Sequence, residues 1–107
     1  MTIQQTIEAV AIFHDSFGIK NNCEPTVNLT EQEIALRHRL MQEENDEYLD
    51  AVKNGDIVEV ADALGDQLYI LCGTILKHGL QYKIEEVFNE IQRSNMSKLD
   101  ENGKPIY

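Results

Sequence analysis

Apolar side chains recur along most of the chain three or four residues apart, the spacing of one face of an α-helix. No segment shows the sustained alternation of apolar and polar residues that is typical of a half-buried strand. Both prolines lie outside the periodic segments, which leaves long stretches that helices can occupy without interruption. The pattern therefore predicts an all-α protein with four helices, at about residues 2–17, 30–53, 56–78 and 81–94.

Local signals mark the ends of these helices. Thr30 and Glu33 have the spacing of a capping box at the start of the second helix. Asp56 is the predicted N-cap of the third helix, and Gly79 is predicted to take the left-handed position that ends it. Because only a minimal turn around Gly55 joins the second and third helices, we expect them to pack antiparallel.

The same periodicity predicts which side chains are buried. The predicted core stripe of the third helix consists of Ile57, Ala61, Leu64, Leu68, Leu71 and Ile75. The predicted inward residues of the fourth helix are Ile84, Val87, Phe88 and Ile91. Cys72 lies in an apolar run and is predicted to be buried. The three histidines are predicted to lie at the surface or at helix ends, and none has the preceding Glu of a Glu-x-x-His di-iron motif.

Length and charge limit the possible architectures and partners. The 107 residues favour a single domain over 1–107, in which 95–107 form a C-terminal tail with a turn at Asn102-Gly103. The formal net charge of −10 disfavours binding to nucleic acid or to an anionic membrane surface. The N-terminal residues do not resemble a signal peptide and no apolar stretch reaches the length of a membrane span, so we expect a cytoplasmic protein.

Acidic side chains interrupt the apolar stripe of the second helix. At about 100° per residue, one arc of this helix contains Leu36, Leu40, Glu44, Glu47, Tyr48 and Ala51, with Glu43 at its edge. The third helix carries a second stripe beside its predicted core, which consists of Glu59, Asp62, Asp66 and Tyr69. An acidic helix face is most often solvated surface, but carboxylates inside an apolar arc argue against that interpretation. Crowded carboxylates on neighbouring helices need a compensating cation, and oxygen ligands suit Mg²⁺ or Mn²⁺.

The motif Glu43-Glu44-x-x-Glu47 followed by Glu59-x-x-Asp62 resembles the signature of the MazG-like, all-α nucleoside triphosphate pyrophosphohydrolases. Two further segments look like the subgroup related to phosphoribosyl-ATP pyrophosphohydrolase: Asp66-Gln-Leu-Tyr69 and Arg93-Ser-Asn95-Met-Ser-Lys98. The resemblance covers about residues 36–104. It implies a four-helix MazG-like bundle completed by dimerisation or tetramerisation. It also implies hydrolysis between the α and β phosphates, which yields a nucleoside monophosphate and pyrophosphate.

The resemblance implies roles for particular residues. The implied Mg²⁺ ligands, with Mn²⁺ as a substitute ion, are Glu44, Glu47, Glu59 and Asp62. The implied catalytic residues are Glu43, Glu44 and Glu47, and Glu43 would activate or orient the attacking water. The implied substrate-binding residues are Asp66, Tyr69, Arg93, Asn95 and Lys98. Asp66 follows Leu64-Gly65 and is the alternative to Asp62 as the last metal ligand.

Three functions are compatible with these residues. The first is metal-dependent removal of unwanted nucleoside triphosphates from the nucleotide pool. The second is the phosphoribosyl-ATP step of histidine biosynthesis, and the third is a non-catalytic helical dimer that binds a nucleotide or a protein. The complete acidic set favours an enzyme over the third. Phe13, Phe17 and Tyr69 are candidates to line a base pocket, although aromatic residues of helices more often pack in a core or an interface.

Overall fold

The computed structural model describes residues 1–106 and confirms the predicted all-α class. The four helices are α1 (Ile3–Ser16), α2 (Glu31–Lys53), α3 (Ile57–Lys77) and α4 (Ile84–Met96). Leu99 and Pro105 form an isolated antiparallel bridge around a turn in which Gly103 has a φ of 76°. Tyr107, the last residue of the predicted tail, lies outside the described residues. None of the four helices is long and apolar enough to cross a membrane.

Side-chain caps begin the two central helices at the predicted positions. Thr30 Oγ1 accepts a hydrogen bond from the Glu33 amide at 3.1 Å, and Glu33 Oε1 accepts one from the Thr30 amide at 3.0 Å. At the start of α3, Asp56 Oδ1 accepts hydrogen bonds from the amides of Val58 and Glu59. These bonds satisfy amides that lack a partner within the helix, and each such cap is worth about 1 kcal/mol relative to alanine.

Helices α2 and α3 form an antiparallel hairpin with a well-defined register. Gly55, at a φ of 65°, makes the turn that joins them. Far from the turn, Lys77 Nζ lies 2.7 Å from Glu33 Oε2, and halfway along the hairpin Gln67 Nε2 donates to Asn45 Oδ1 at 3.2 Å. Residues at similar separations from Gly55 along the chain therefore face each other across the hairpin.

The loop between α1 and α2 covers the C-terminal end of α3. The amides of Asn22 and Thr26 donate to the carbonyls of Leu76 and His78, at 3.1 and 2.9 Å. Gly79, at a φ of 65°, takes the predicted left-handed position immediately after α3. The loop thus supplies donors to carbonyls that have no partner within the helix.

The buried core of the single chain lies between α1 and α3. It consists of Ile7, Val10, Cys72 and Leu76. Of the predicted α3 core stripe, Ile75 is buried, but the other five residues are exposed, among them Leu64 at 48% and Leu68 at 43%. The prediction was wrong for these five because periodicity identifies a shared face without showing whether the same chain covers it. The radius of gyration of 16.7 Å, against about 13 Å for a compact domain of this length, agrees with an open arrangement.

Helix α4 also departs from the prediction. Ile84 is half-buried, but Val87, Phe88 and Ile91 are 44%, 65% and 51% exposed, and α4 contains no fully buried residue. These side chains and Ile3 on α1 line an open apolar groove of about 500 Å³. The apolar face of α4 therefore lacks the cover within residues 1–106 that was expected of it.

His14 lies in the last turn of α1, at a helix end as predicted, but it is buried. Only 3% of the residue is exposed, and its Nδ1 is hydrogen-bonded to Asn21 Oδ1 at 2.6 Å. Its ring lies against Gly73 of α3, where a Cβ atom would come within 2.9 Å of Nε2. The glycine allows α1 to approach α3 closely. His14 lies seven residues after Ile7 and therefore on the apolar face of α1, so the helical pattern itself carried the signal for its burial.

The Glu33–Lys77 pair predicts how stability responds to acid. The hydrogen bond from Lys77 and those from Thr30 lower the pKa of Glu33 from 4.5 to about 2. Because the folded-state pKa lies below the unfolded one, this pair stabilises the fold above pH 4.5, and its contribution is lost as the pH falls towards 2. We expect the urea midpoint to fall less between pH 6 and pH 3 in Glu33→Gln than in the unmodified protein. Glu31→Gln, at an exposed position on the same first turn of α2, is the control, and an equal fall in all three proteins would contradict the expectation.

Candidate active site

The facing sides of α2 and α3 are largely polar. From α2, at intervals of three or four residues, they comprise Glu33, Arg37, Leu40, Glu44, Glu47 and Ala51. From α3 they comprise Glu59, Asp62, Ala63, Asp66, Ile70, Gly73 and Lys77. Carboxylates are concentrated towards the turn, and the cations Arg37 and Lys77 lie towards the other end.

Three carboxylates from the two helices meet in one cluster, which we call the acidic cluster: Glu44, Glu47 and Asp66. Each offers an oxygen, and these oxygens all lie within 4.8 Å of one another. Glu44 and Glu47 are adjacent because they are three residues apart on α2. Asp66 joins them because the hairpin register, seen in the neighbouring pair Asn45 and Gln67, brings it opposite Glu44.

Glu44 is the most perturbed member of the acidic cluster. It is half-buried, and its Oε2 atom is inaccessible to solvent and has no hydrogen-bond partner within residues 1–106. Burial, reinforced by Glu47 and by the negative charges of Asp66 and Asp62, raises its pKa from 4.5 to about 7. Burial and the charges of Asp62 and Glu47 also raise the pKa of Asp66. The cluster therefore resists full ionisation near neutral pH unless positive charge is added.

A polar cavity of about 300 Å³ adjoins the acidic cluster on the side of the turn. Its lining residues are Glu47, Asp50, Ala51, Glu59, Asp62 and Ala63. Glu59 and Asp62, the two ligands that the resemblance implied on α3, are therefore present at this end of the hairpin and share the cavity with Glu47. Among the described residues, the three closely spaced oxygens nevertheless come from Glu44, Glu47 and Asp66.

The donor set of the acidic cluster fits a hard divalent cation. Carboxylate oxygens are the ligands that Mg²⁺ and Mn²⁺ prefer. The buried Oε2 atom of Glu44 lacks a donor within the described part of the chain, and a cation would satisfy it. The neighbouring cavity leaves space for water and phosphate oxygens beside the carboxylates.

The remaining residues implied by the resemblance lie in different surroundings. Glu43 is not one of the three clustered carboxylates: its side chain is 57% exposed, and its Oε1 lies 3.6 Å from Arg39 Nε. Arg93 donates to Glu90 on α4, and Lys98 donates to Asn95 at 3.2 Å. Tyr69 lines a larger cavity, where its ring meets that of Phe13 edge to face at 5.6 Å. Sequence reasoning overlooked Arg37, although it lies seven residues before Glu44 and therefore on the same side of α2.

Comparison with known proteins adds a family to this geometry. Residues 10–95 match the sequence model of the phosphoribosyl-ATP pyrophosphohydrolase family. Over 98 residues, which are 89% of this chain, the sequence is 29% identical to uncharacterized protein L479 of Acanthamoeba polyphaga mimivirus. The match spans 39% of the length of that viral protein. The family match includes α2, α3 and therefore the whole acidic cluster.

Proposed function

Since the chain belongs to the phosphoribosyl-ATP pyrophosphohydrolase family, we propose that it hydrolyses a nucleoside triphosphate to a nucleoside monophosphate and pyrophosphate. The proposed role is removal of unwanted nucleotides from the pool. The observation that carries the proposal is the acidic cluster, in which a buried carboxylate oxygen of Glu44 lacks a partner within residues 1–106. An enzyme that cleaves phosphoric anhydrides needs such a site for the cation that accompanies its anionic substrate.

Mg²⁺ is the proposed cofactor, and Mn²⁺ the substitute. Glu44, Glu47 and Asp66 would hold the ion, with Glu59 and Asp62 available as further ligands on the side of the polar cavity. When bound, the ion supplies the positive charge that triphosphate oxygens require in a site lined by carboxylates. This assignment retains the four ligands that the resemblance implies and adds Asp66.

The proposed reaction is attack of water on the α phosphorus. A bond forms between the water oxygen and the α phosphorus, the bond from that phosphorus to the bridging oxygen breaks, and pyrophosphate leaves. A carboxylate accepts the proton released by the water. Glu44 would be bound to the ion, which lowers a pKa that is about 7 in its absence, so a carboxylate outside the ligand set suits this role better. Glu43, which precedes Glu44 in the sequence and is paired with Arg39, is proposed to activate or orient the water.

The family description favours a second candidate, phosphoribosyl-ATP, as the substrate. Hydrolysis of phosphoribosyl-ATP would break the same kind of bond, between the α and β phosphates, and would also release pyrophosphate. The acidic cluster therefore does not discriminate between the two substrates. A third possibility, a non-catalytic nucleotide-binding or protein-binding dimer, predicts no turnover of either.

We also propose that the protein is a homodimer or homotetramer. Leu64, Leu68 and Leu71 on α3, together with Phe88 and Ile91 on α4, expose apolar surface that an isolated chain would leave in water. Large contiguous apolar patches of this kind mark interaction surfaces. Light scattering coupled to size-exclusion chromatography should give at least twice the mass of one chain, and the mass of a single chain would contradict this proposal.

The decisive experiment incubates the purified protein with Mg²⁺, the four deoxynucleoside and four ribonucleoside triphosphates and, separately, phosphoribosyl-ATP. Pyrophosphate and the monophosphate should accumulate in equal amounts. Orthophosphate in place of pyrophosphate would reject cleavage between the α and β phosphates. Turnover of phosphoribosyl-ATP alone would select the second candidate. No turnover of any of these substrates would reject the proposal that the protein is a pyrophosphohydrolase.

A further inference from the structure

A second cavity, which we call the aromatic pocket, lies beside the acidic cluster. It has a volume of about 410 Å³ and is enclosed by α1, α2, α3 and the start of the loop that follows α1. Leu40 and Tyr69 both line it. Leu40 is one helical turn before Glu44, and Tyr69 is one turn after Asp66, so the pocket and the acidic cluster occupy consecutive levels of the same hairpin.

Arg37 is a cation in the wall of the aromatic pocket, and its Nε atom lacks an acceptor within residues 1–106. The residue is 8% exposed, and the Nε atom is inaccessible to solvent. The neighbouring buried cation, Lys77, is satisfied by Glu33 and by the carbonyl of Lys20, both within 2.7 Å. A buried guanidinium without acceptors is costly, and burial accordingly lowers the pKa of Arg37.

The surroundings of Arg37 are built to hold its side chain in place. A Cβ atom on Gly73 would lie 3.2 Å from Arg37 Nη1 and 2.9 Å from His14 Nε2. The glycine backbone of α3 and the buried His14 ring therefore border the guanidinium closely. A cation held in this way at the edge of a cavity is preorganised for an acceptor that a ligand brings.

The rest of the aromatic pocket favours a flat, weakly polar ligand. Phe13 and Tyr69 each remain 40% exposed, and their rings meet at an angle of 88°. Leu36, Leu40 and Ile70 supply much of the remaining wall. Aromatic rings and aliphatic side chains suit the faces of a nucleobase.

We infer that the aromatic pocket binds the base of the nucleotide, and that Arg37 makes the enzyme prefer guanine, then thymine or uracil, over adenine and cytosine. This inference rests on the proposed function, since it names the substrate class of the same site. Arginine offers donors alone. Guanine presents two adjacent acceptors, O6 and N7, and thymine and uracil present O4, whereas adenine and cytosine place an amino donor at the corresponding edge.

The distance between the two sites is compatible with one nucleotide. Arg37 and Glu44 are seven residues apart on α2, which corresponds to about 10.5 Å along the helix axis. A nucleotide with its phosphates at the acidic cluster can extend its base along the hairpin to this depth. Both parts of the substrate would then contact the facing sides of α2 and α3.

Binding of the monophosphate products tests the inference without requiring turnover. Calorimetry on the protein with Mg²⁺ present, using dGMP, dTMP, dAMP and dCMP, none of which contains the bond to be cleaved, should show dGMP binding about 10- to 100-fold more tightly than dAMP. In Arg37→Met, which replaces the cation by an apolar side chain of similar length, this ratio should fall to nearly one. Arg37→Lys, which keeps the charge but loses the planar fork, should keep part of the preference. Lys83→Met is the control for loss of a cation, because Lys83 is exposed on the turn before α4.

The outcomes separate this inference from the proposed function. Equal affinity for all four monophosphates, or a preference that survives in Arg37→Met, would overturn the role of Arg37 even if the enzyme hydrolyses triphosphates. A guanine preference that depends on Arg37, in a protein without turnover, would support base binding in the aromatic pocket and would reject the proposed hydrolysis. Equal loss of affinity for all four monophosphates in Arg37→Met would also overturn the inference, since it would indicate contact with the phosphate or sugar.

Discussion

Replacement of Glu44 by glutamine is expected to abolish turnover and yet stabilise the metal-free protein. The activity should fall by about 10²–10⁴-fold, which corresponds to the several kcal/mol that a catalytic ion supplies, because the amide carries no negative charge to hold the cation. The variant should nevertheless melt about 4–8 °C higher at pH 8, the shift that ~1 kcal/mol produces in a small domain. The gain arises because the amide removes one of the charges that repel each other in the acidic cluster.

The pH dependence of this stabilisation identifies its origin. The pKa of Glu44 is raised from 4.5 to about 7 in the folded protein. The stability associated with its protonated form is therefore complete below pH 4.5 and lost as the pH rises through 7. The difference in melting temperature between Glu44→Gln and the unmodified protein should be largest at pH 8 and small at pH 5. Addition of Mg²⁺ should raise the melting temperature of the unmodified protein more than that of the variant.

Asp46→Asn provides the matched control for Glu44→Gln. Asp46 is an exposed acid on α2, two residues from Glu44, and it is not a member of the acidic cluster. Its substitution should change turnover by no more than about threefold, as expected for a surface position. Full activity in Glu44→Gln, or equal stabilisation by both substitutions at pH 8 and pH 5, would show that Glu44 has no special role.

The helices could be predicted from the sequence because their signals are local. Thr30 and Asp56 cap helices through residues two or three positions away, so no knowledge of tertiary packing was needed. The buried faces could not be predicted equally well. Leu64 and Phe88 lie on regular apolar stripes, yet both are exposed in the single chain. An apolar stripe shows that a face will be covered, but the covering surface can belong to another chain.

The residues that α2 contributes to the candidate site could be predicted from the sequence, but their partners on α3 depend on the register between the two helices. Glu44 and Glu47 were identified because they interrupt an apolar arc, which is a property of α2 alone. The resemblance favours Asp62 over Asp66 because the motif has a Glu three residues before the ligand, and that position holds Glu59 for Asp62 but Ala63 for Asp66. A helical wheel of α3 places both acids on one stripe and does not show which of them faces Glu44. The turn at Gly55 contains that information, since counting residues outward from it aligns Asp66 with Glu44 and Gly73 with Arg37.

Replacement of Gly79 by alanine is expected to cause the largest loss of stability of any single methyl addition proposed for this chain. The φ of 65° costs a residue with a Cβ about 1–2 kcal/mol. The new Cβ would also overlap the carbonyl oxygen of Glu24 and lie 2.5 Å from its carbonyl carbon, so the backbone of the loop must move. Overpacking of this kind costs about 1–3 kcal/mol more. Urea unfolding should therefore show a loss of about 2–5 kcal/mol, a large part of the stability of a small domain.

Gly55→Ala separates the two causes of that loss. Gly55 also has a φ of 65°, but a Cβ placed there meets no atom within 4 Å among the described residues. This variant should lose only the conformational part, about 1–2 kcal/mol. The excess in Gly79→Ala then measures the packing of the loop on the end of α3, where Thr26 donates to the carbonyl of His78. Equal losses in the two variants would mean that the loop yields without cost, and would contradict tight packing of Glu24 against the residue after α3.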